Sequence, residues 1–67
     1  MKKMLNLLTT ITDKVIIAKA NKKTFIELTI DGLTKEQALL IGDYINTALD
    51  CDVDIINYNH FVIYIKG

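Results

Sequence analysis

The centre of the chain, DGLTKEQALLIGDYINTAL at residues 31–49, predicts one α-helix over residues 34–49. The Asp-Gly pair that opens this segment favours a turn, and Thr34 followed by Gln37 is the capping-box pattern that begins many helices. At about 100° per residue, the apolar side chains then fall on one face of the helix. That face consists of Ala38, Ile41, Gly42, Ile45, Ala48 and Leu49. We therefore expect this helix to pack on a sheet.

Three residues of this helix bear on its contacts. Gly42 in mid-helix costs about 1 kcal/mol relative to alanine, and close approach of the helix backbone to a strand would compensate for that cost. Leu40 and Tyr44 lie on the flank of the apolar face. They are candidates for contact with something outside the core.

The C-terminal segment predicts a β-hairpin with strands at residues 53–58 and 61–66, since β-branched and aromatic residues flank a short polar pair. Asn59 and His60 would form a two-residue turn. One face of this hairpin would carry Asp54, Ile56, Tyr58, Phe61, Ile63 and Ile65. The other face would carry Ile55, Val62 and Tyr64.

Residues 14–20 and 24–30 predict a second hairpin, with a turn between them. Its expected pairs are Ile17 with Ile26 and Val15 with Leu28. The predicted fold is a small single α+β domain spanning residues 1–67, with an antiparallel four-stranded sheet (ββαββ) packed on one helix.

The N-terminal part also permits an alternative order, helix-β-α-ββ. Met4, Leu8, Ile11, Val15 and Ala18 recur at helical spacing. One long helix through these residues would remove the first strand. In the four-stranded arrangement, residues 1–12 are an N-terminal segment that either covers the sheet or stays free.

The four-stranded arrangement leaves an apolar sheet face on the side away from the helix. That face carries Ile16, Ala18, Phe25, Ile55, Val62 and Tyr64. A solvated sheet face normally shows more polar residues, and a chain of 67 residues that is 51% hydrophobic has little interior in which to bury them. We therefore expect a homodimer, with either this face or the helix flank of Leu40 and Tyr44 as its interface.

The residue inventory argues against an enzyme. The chain has no serine or arginine, one cysteine and one histidine. Cys51 stands between two aspartates rather than beside the cationic groups that activate a thiolate, and His60 falls at the predicted hairpin tip. One cysteine and one histidine cannot build a zinc cluster within one chain, and the three glycines are too far apart for a phosphate-binding loop. We expect no catalysis, cofactor or metal.

Charge is balanced overall but divided along the chain. Residues 1–23 carry six lysines against one aspartate, a net charge of +5, whereas residues 24–67 carry −5. The acidic part includes Asp43, Asp50, Asp52 and Asp54, which we expect to form a patch for a protein partner. The lysine-rich first third, combined with the sheet aromatics, permits an alternative function as a small nucleic-acid-binding protein.

The preferred hypothesis is a non-enzymatic protein-binding module that self-associates. The chain has no run of about 20 apolar residues that could span a bilayer, so we expect no membrane contact. A lone cysteine is consistent with a cytoplasmic location. A compact chain rich in Ile, Lys and Asn suggests a phage or mobile-element accessory protein, an inhibitor that occludes a surface of a host machine.

Overall fold

The computed structural model describes residues 2–65, with side chains described from residue 4 onward. Its elements are α1 (Lys2–Ala20), β1 (Phe25–Thr29), α2 (Lys35–Thr47), β2 (Asp52–Ile56) and β3 (His60–Tyr64). The strands form one antiparallel sheet in the order β1-β3-β2. Residues of both helices share one core with the inner side of this sheet, so the helices cover the same sheet face.

The predicted four-stranded ββαββ sheet on one helix is wrong. Residues 14–20, expected as the first strand, are the C-terminal part of α1. The sheet therefore has three strands and is covered by two helices, and β1 pairs with β3 instead of with residues 14–20. The observed helix-strand-helix-strand-strand order is the alternative that the helical spacing of residues 4–18 permitted.

Burial explains why residues 14–20 are helical. Ile11, Val15 and Ala18 lie one turn apart on α1 and are at most 2% exposed, whereas Ile16 beside them is 58% exposed. This buried stripe continues from apolar residues in the first turns of the same helix. A single helix keeps the whole stripe on one face, which a strand of alternating side chains would not do.

Three threonines in the middle of α1 satisfy their hydroxyls within the helix. Each hydroxyl donates to the carbonyl oxygen four residues earlier, at 3.0 Å for Thr9, 2.9 Å for Thr10 and 2.8 Å for Thr12. Such bonds let polar β-branched residues occupy a helix without an unpaired group. Residues 2–12, which the sequence left uncertain, are thus part of α1, and residue 1 lies outside the described residues.

The helix predicted over residues 34–49 is confirmed as α2, although α2 ends at Thr47 and Ala48 of the predicted apolar face is exposed. Thr34 is its N-cap: the Thr34 Oγ1 accepts a hydrogen bond from the Gln37 backbone N at 3.1 Å, and the Gln37 Oε1 accepts one from the Thr34 backbone N at 3.0 Å. The buried residues of α2 all come from the predicted apolar face. They are Ala38, Ile41, Gly42 and Ile45.

The mid-helix glycine has the predicted role of bringing α2 close to the sheet. A Cβ at Gly42 would lie 2.6 Å from Cδ1 of Ile55 and 3.9 Å from Cγ1 of Val53, both on β2. A contact of 2.6 Å is too short for two carbon atoms. A side chain at this position would therefore require the end of the Ile55 side chain to move.

The C-terminal hairpin forms with a longer turn than predicted. Asn57 and Tyr58 have positive φ angles of 54° and 56°, and the strands close with Ile56 opposite His60. His60 is thus the first residue of β3 rather than part of the turn. Residue 66, expected at the end of the last strand, lies outside the described residues.

This change of turn moves side chains between the two faces of the sheet. Ile55 lies opposite Phe61 and faces the helices, so the prediction that it shares a face with Val62 and Tyr64 is wrong. Because side chains alternate along a strand, an odd shift in pairing exchanges the faces of one strand relative to its partner.

The core contains only apolar side chains and the single cysteine. Its buried cluster consists of Ile11, Val15, Ala38, Ile41, Ile45, Cys51, Phe61 and Ile63. Cys51 is a free thiol with 0% exposure, and its Sγ donates to the Leu49 carbonyl oxygen at 3.3 Å. Within residues 4–65 no polar or charged side chain is buried.

Candidate interaction surfaces

The sheet face turned away from the helices, here called the outer face, is uncovered by any described part of the chain. It is formed by Phe25, Glu27 and Thr29 of β1, His60, Val62 and Tyr64 of β3, and Asp52, Asp54 and Ile56 of β2. Four of these side chains are aliphatic or aromatic and three are carboxylates. The outer face therefore combines apolar area with negative charge.

An aromatic pair lies at one end of the outer face. Phe25 and Tyr64 are direct cross-strand neighbours, and Asp52 is the neighbour of Tyr64 on its other side. The two aromatic residues are 50% and 42% exposed. Side chains opposite each other on adjacent strands have Cβ atoms about 5 Å apart, so the rings form one apolar strip that ends at a carboxylate.

The hydroxyl of Tyr64 is fixed by a neighbouring carboxylate. It donates a hydrogen bond to Oδ2 of Asp54 at 2.8 Å. This bond, together with the negative charges of Asp54 and Glu27, raises the pKa of Tyr64 above its ordinary value of 10.0. The ring therefore has a preferred direction on the outer face.

His60 joins a hydroxyl and a carboxylate on the same face. Its Nδ1 lies 3.0 Å from Oγ1 of Thr29, and its Nε2 lies 3.2 Å from Oε1 of Glu27. The residue types match those of a hydrolase triad, but Thr29 is the direct cross-strand neighbour of His60 and Glu27 the diagonal one. The arrangement lies on an open sheet face and is accounted for by strand pairing alone.

The structure brings together three of the six residues predicted for the apolar sheet face. Phe25, Val62 and Tyr64 lie on the outer face, whereas Ile55 lies beneath α2. Ile16 and Ala18, expected on the same face in the four-stranded arrangement, belong to α1. Sequence reasoning missed His60 and Ile56 on the outer face, and the correct turn would have placed both there.

The other two predicted interface residues lie on α2, and one of them contacts α1. The Tyr44 hydroxyl is 2.7 Å from Oγ1 of Thr12 and thereby ties α2 to α1, while Leu40 is 54% exposed. Leu5 and Ile16 share one side of α1 with Thr12, since they lie seven residues before and four after it. We call this uncharged strip, formed by Leu5, Thr12, Ile16, Leu40 and Tyr44, the helix seam.

The four predicted acidic residues do not lie on one element. Asp52 and Asp54 are exposed on the outer face, Asp43 is exposed on α2, and Asp50 is in the turn before β2 with a φ of 52°. Asp43 and Asp52 line one groove between α2 and β2, next to Leu39. We call this side of the molecule, defined by Leu39, Asp43 and Asp52, the acidic edge.

Lysines collect at the opposite side of the sheet. Lys14 and Lys23 line a groove between α1 and β1, together with Ile17. Glu27 also borders this groove, although its carboxylate lies against His60 on the outer face. We call this side, defined by Lys14, Ile17 and Lys23, the basic edge.

A larger groove of about 500 Å³ lies between the N-terminal half of α1 and the loop that joins β1 to α2. Its floor is apolar, with Met4, Leu7, Ile30 and Leu33, and its rim includes Asp31 and Gln37. Asn6 and Thr10 also line it. The Thr10 hydroxyl already donates to the Asn6 carbonyl oxygen, and the Gln37 Oε1 accepts from the Thr34 backbone N, so few polar groups are left to orient a small polar ligand.

Two further observations concern the whole described chain. Neither α1 nor α2 has both the length and the apolar composition that a membrane-crossing helix requires. Comparisons with protein-family models, with curated proteins and with solved structures find no match to this chain.

Proposed function

We propose that this chain is a non-enzymatic protein-binding module that self-associates, and that its outer face binds another protein. The observation that carries the proposal is the exposed pair of Phe25 and Tyr64, which lies on a sheet face bare of any described covering segment. Aromatic side chains of this kind supply much of the energy of protein interfaces when a partner buries them.

The carboxylates of the outer face favour a partner with a positively charged surface. Asp52 and Asp54 border the aromatic strip, and Glu27 lies on the neighbouring edge strand. A lysine or arginine side chain can lay its aliphatic stem on an aromatic ring and direct its cationic head to a carboxylate. The outer face therefore fits a basic surface of another protein, which it would occlude.

The same charges argue against the outer face as the contact between two copies. Stacking two outer faces would bring three carboxylates of each copy together, and like charges placed opposite each other cost several kcal/mol. Self-association is therefore assigned to other surfaces of the molecule. The outer face stays available for the partner, apart from Asp52 at its border with the acidic edge.

Two observations favour protein binding over catalysis and over nucleic-acid binding. No polar side chain is buried within residues 4–65, whereas catalytic groups are usually held in a sheltered cleft. Lys22 and Lys23 line one groove with Phe25, but Glu27 lines the same groove and Asp52 is the neighbour of Tyr64. A phosphate backbone that follows these lysines to the rings would therefore meet negative charges.

The test is selection from a random peptide library against the wild-type protein. We expect the selected peptides to be rich in Lys or Arg next to apolar residues, and to shift the amide resonances of the outer face in NMR spectra. The variant Phe25→Ala/Tyr64→Ala should bind them at least about tenfold more weakly, because it removes the buried aromatic area.

A matched control is Leu5→Ala/Leu40→Ala, which removes exposed apolar area from the two helices and should leave peptide affinity unchanged. Equal binding by the wild type and the aromatic variant would contradict the proposal. Binding of a single-stranded oligonucleotide in preference to peptides would replace it with the nucleic-acid alternative.

A further inference from the structure

We infer that copies of this chain assemble head to tail, with the basic edge of one copy against the acidic edge of the next. The inference rests on the proposed function, because it names the surfaces through which the module self-associates. It assigns the contact to two different surfaces rather than to one surface that meets itself.

The two edges match in chemistry. On the basic edge, Lys14 and Lys23 line the same groove as Ile17, which is 60% exposed; Glu27 lines it too, but its carboxylate lies against His60. On the acidic edge, Asp43 and Asp52 line the same groove as Leu39, which is 49% exposed. Each edge thus combines one exposed aliphatic side chain with two like charges, and the signs of the charges are opposite. Contact between the edges would bury the aliphatic pair and place cations beside carboxylates.

The position of the edges dictates the symmetry of the assembly. β1 and β2 are the two outer strands of the sheet, with β3 between them, so the basic and acidic edges point in opposite directions. A molecule that uses both edges contacts two neighbours. Such a heterologous contact produces a ring if the rotation closes and an open chain if it does not.

Charge also disfavours the two-fold alternatives at these edges. A two-fold axis would place the acidic edge against another acidic edge, or the basic edge against another basic edge, and both arrangements bring like charges together. The helix seam is uncharged and has no such penalty. A dimer through the seam is therefore the competing arrangement that an experiment must separate from the head-to-tail one.

The test uses light scattering on the full chain across a range of concentrations at low and high salt. The wild-type mass should rise beyond that of a dimer with concentration and should fall with salt, because screening weakens exposed charge contacts. Asp43→Lys/Asp52→Lys makes both edges basic, and Lys14→Glu/Lys23→Glu makes both edges acidic. Each variant alone should be monomeric, with association weakened by at least about tenfold.

Mixing the two charge-reversed variants should restore association, because every edge then has an oppositely charged partner. The variant Asp31→Lys/Glu36→Lys is the matched control: it changes the net charge as much as Asp43→Lys/Asp52→Lys does, but at exposed positions outside both edge grooves. It should assemble like the wild type. Circular dichroism on each variant verifies that it is folded.

Three outcomes would overturn the inference. A mass that stops at the dimer, resists charge reversal and drops in Leu40→Asp would assign self-association to the helix seam, and the proposed function would stand. Folded charge-reversed variants that stay monomeric when mixed would remove the edge contact. A wild type that is monomeric at every concentration would remove self-association itself, while the peptide selection would still decide the role of the outer face.

Discussion

On the inner side of the sheet, β3 contributes Phe61 and Ile63, both with 0% exposure beneath the helices. On the outer side the same strand contributes His60, Val62 and Tyr64, which solvent reaches. The two sets alternate along five residues, so strand propensity cannot distinguish them. What differs is the cover: two helices on one side and no described segment on the other. The inner face thus sets stability, whereas the outer face is free to carry charge and aromatic rings, which the proposed binding would use.

The largest effect should come from emptying the centre of the inner face. Phe61→Ala removes a fully buried ring and should lower the free energy of unfolding by about 3–5 kcal/mol, through lost transfer energy and the cavity that remains. Urea denaturation of Phe61→Ala and Val62→Ala compares the two faces of the sheet, because these residues are neighbours on β3 and lie on opposite faces.

Val62→Ala on the outer face should lower the free energy of unfolding by at most about 1 kcal/mol, since Val62 is only partly buried. Equal losses for the two variants would mean that the outer face is covered as well as the inner one. That result would also contradict the use of the outer face for a protein partner.

A smaller effect should appear where α2 rests on the inner face. Gly42→Ala gains about 1 kcal/mol of helix propensity, but its Cβ would meet Cδ1 of Ile55 at 2.6 Å. Ile55→Val removes that atom. We therefore expect Gly42→Ala to be more stabilising in the Ile55→Val background than in the wild type.

The thermodynamic cycle formed by the two single variants and the double variant should give a coupling of about 1 kcal/mol. Denaturant unfolding of the four proteins measures it. Strict additivity would show that Ile55 moves aside without cost, and that the helix does not depend on glycine for its distance from β2.

The smallest effect concerns the outer face and appears only at high pH. The pKa of Tyr64 is raised above 10.0 by its bond to Asp54 and by nearby negative charge, so the folded protein holds this proton more tightly than the unfolded chain does. The contribution to stability is therefore present below pH 10.0 and decreases as the pH rises through 10.0 toward the folded pKa.

Replacing the acceptor tests this directly. Asp54→Asn removes the negative charge and should shift the pKa of Tyr64 downward toward 10.0, as measured by NMR titration of the ring resonances. The pKa of Tyr64 should fall much less in Asp13→Asn, which removes a carboxylate from α1 on the other side of the sheet. An unchanged pKa in Asp54→Asn would show that the hydrogen bond does not persist in solution.

The α2 helix could be predicted because its local and long-range signals agree. The two hydrogen bonds between Thr34 and Gln37 form between residues only three positions apart in the sequence. The apolar face requires only that a sheet lies beneath it. Local chemistry of this kind is visible in the sequence. The buried residues of α2 therefore came out as expected.

The α1 helix could not be decided in the same way. Val15, Ile16 and Ile17 have the β-branched composition of a strand, whereas the spacing of Val15 from Ile11 and Ala18 also suits one side of a helix. The deciding fact is tertiary: the helix buries Ile11, Val15 and Ala18 together against the sheet. No residue within the segment indicates by itself which of the two structures forms.

The hairpin register failed for a reason of turn chemistry. Asn59 and His60 were expected to form the turn, but Asn57 and Tyr58 take the positive φ angles. A positive φ is uncommon for a tyrosine, so Tyr58 gave no indication of that turn. Because of this error, Ile55 was assigned to the wrong face, and His60 and Ile56 were left out of the predicted interface. Phe25, Val62 and Tyr64 were placed correctly on one face.

The buried thiol of Cys51 is a probe of local opening in this domain. A thiol with 0% exposure reacts with a labelling reagent only after the end of α2 and the start of β2 separate, because the thiolate must reach solvent. The rate of labelling under native conditions therefore reports how often this part of the domain opens. Since the chain has one cysteine, the signal comes from a single site, and slower labelling on binding would measure how far a partner holds the domain closed.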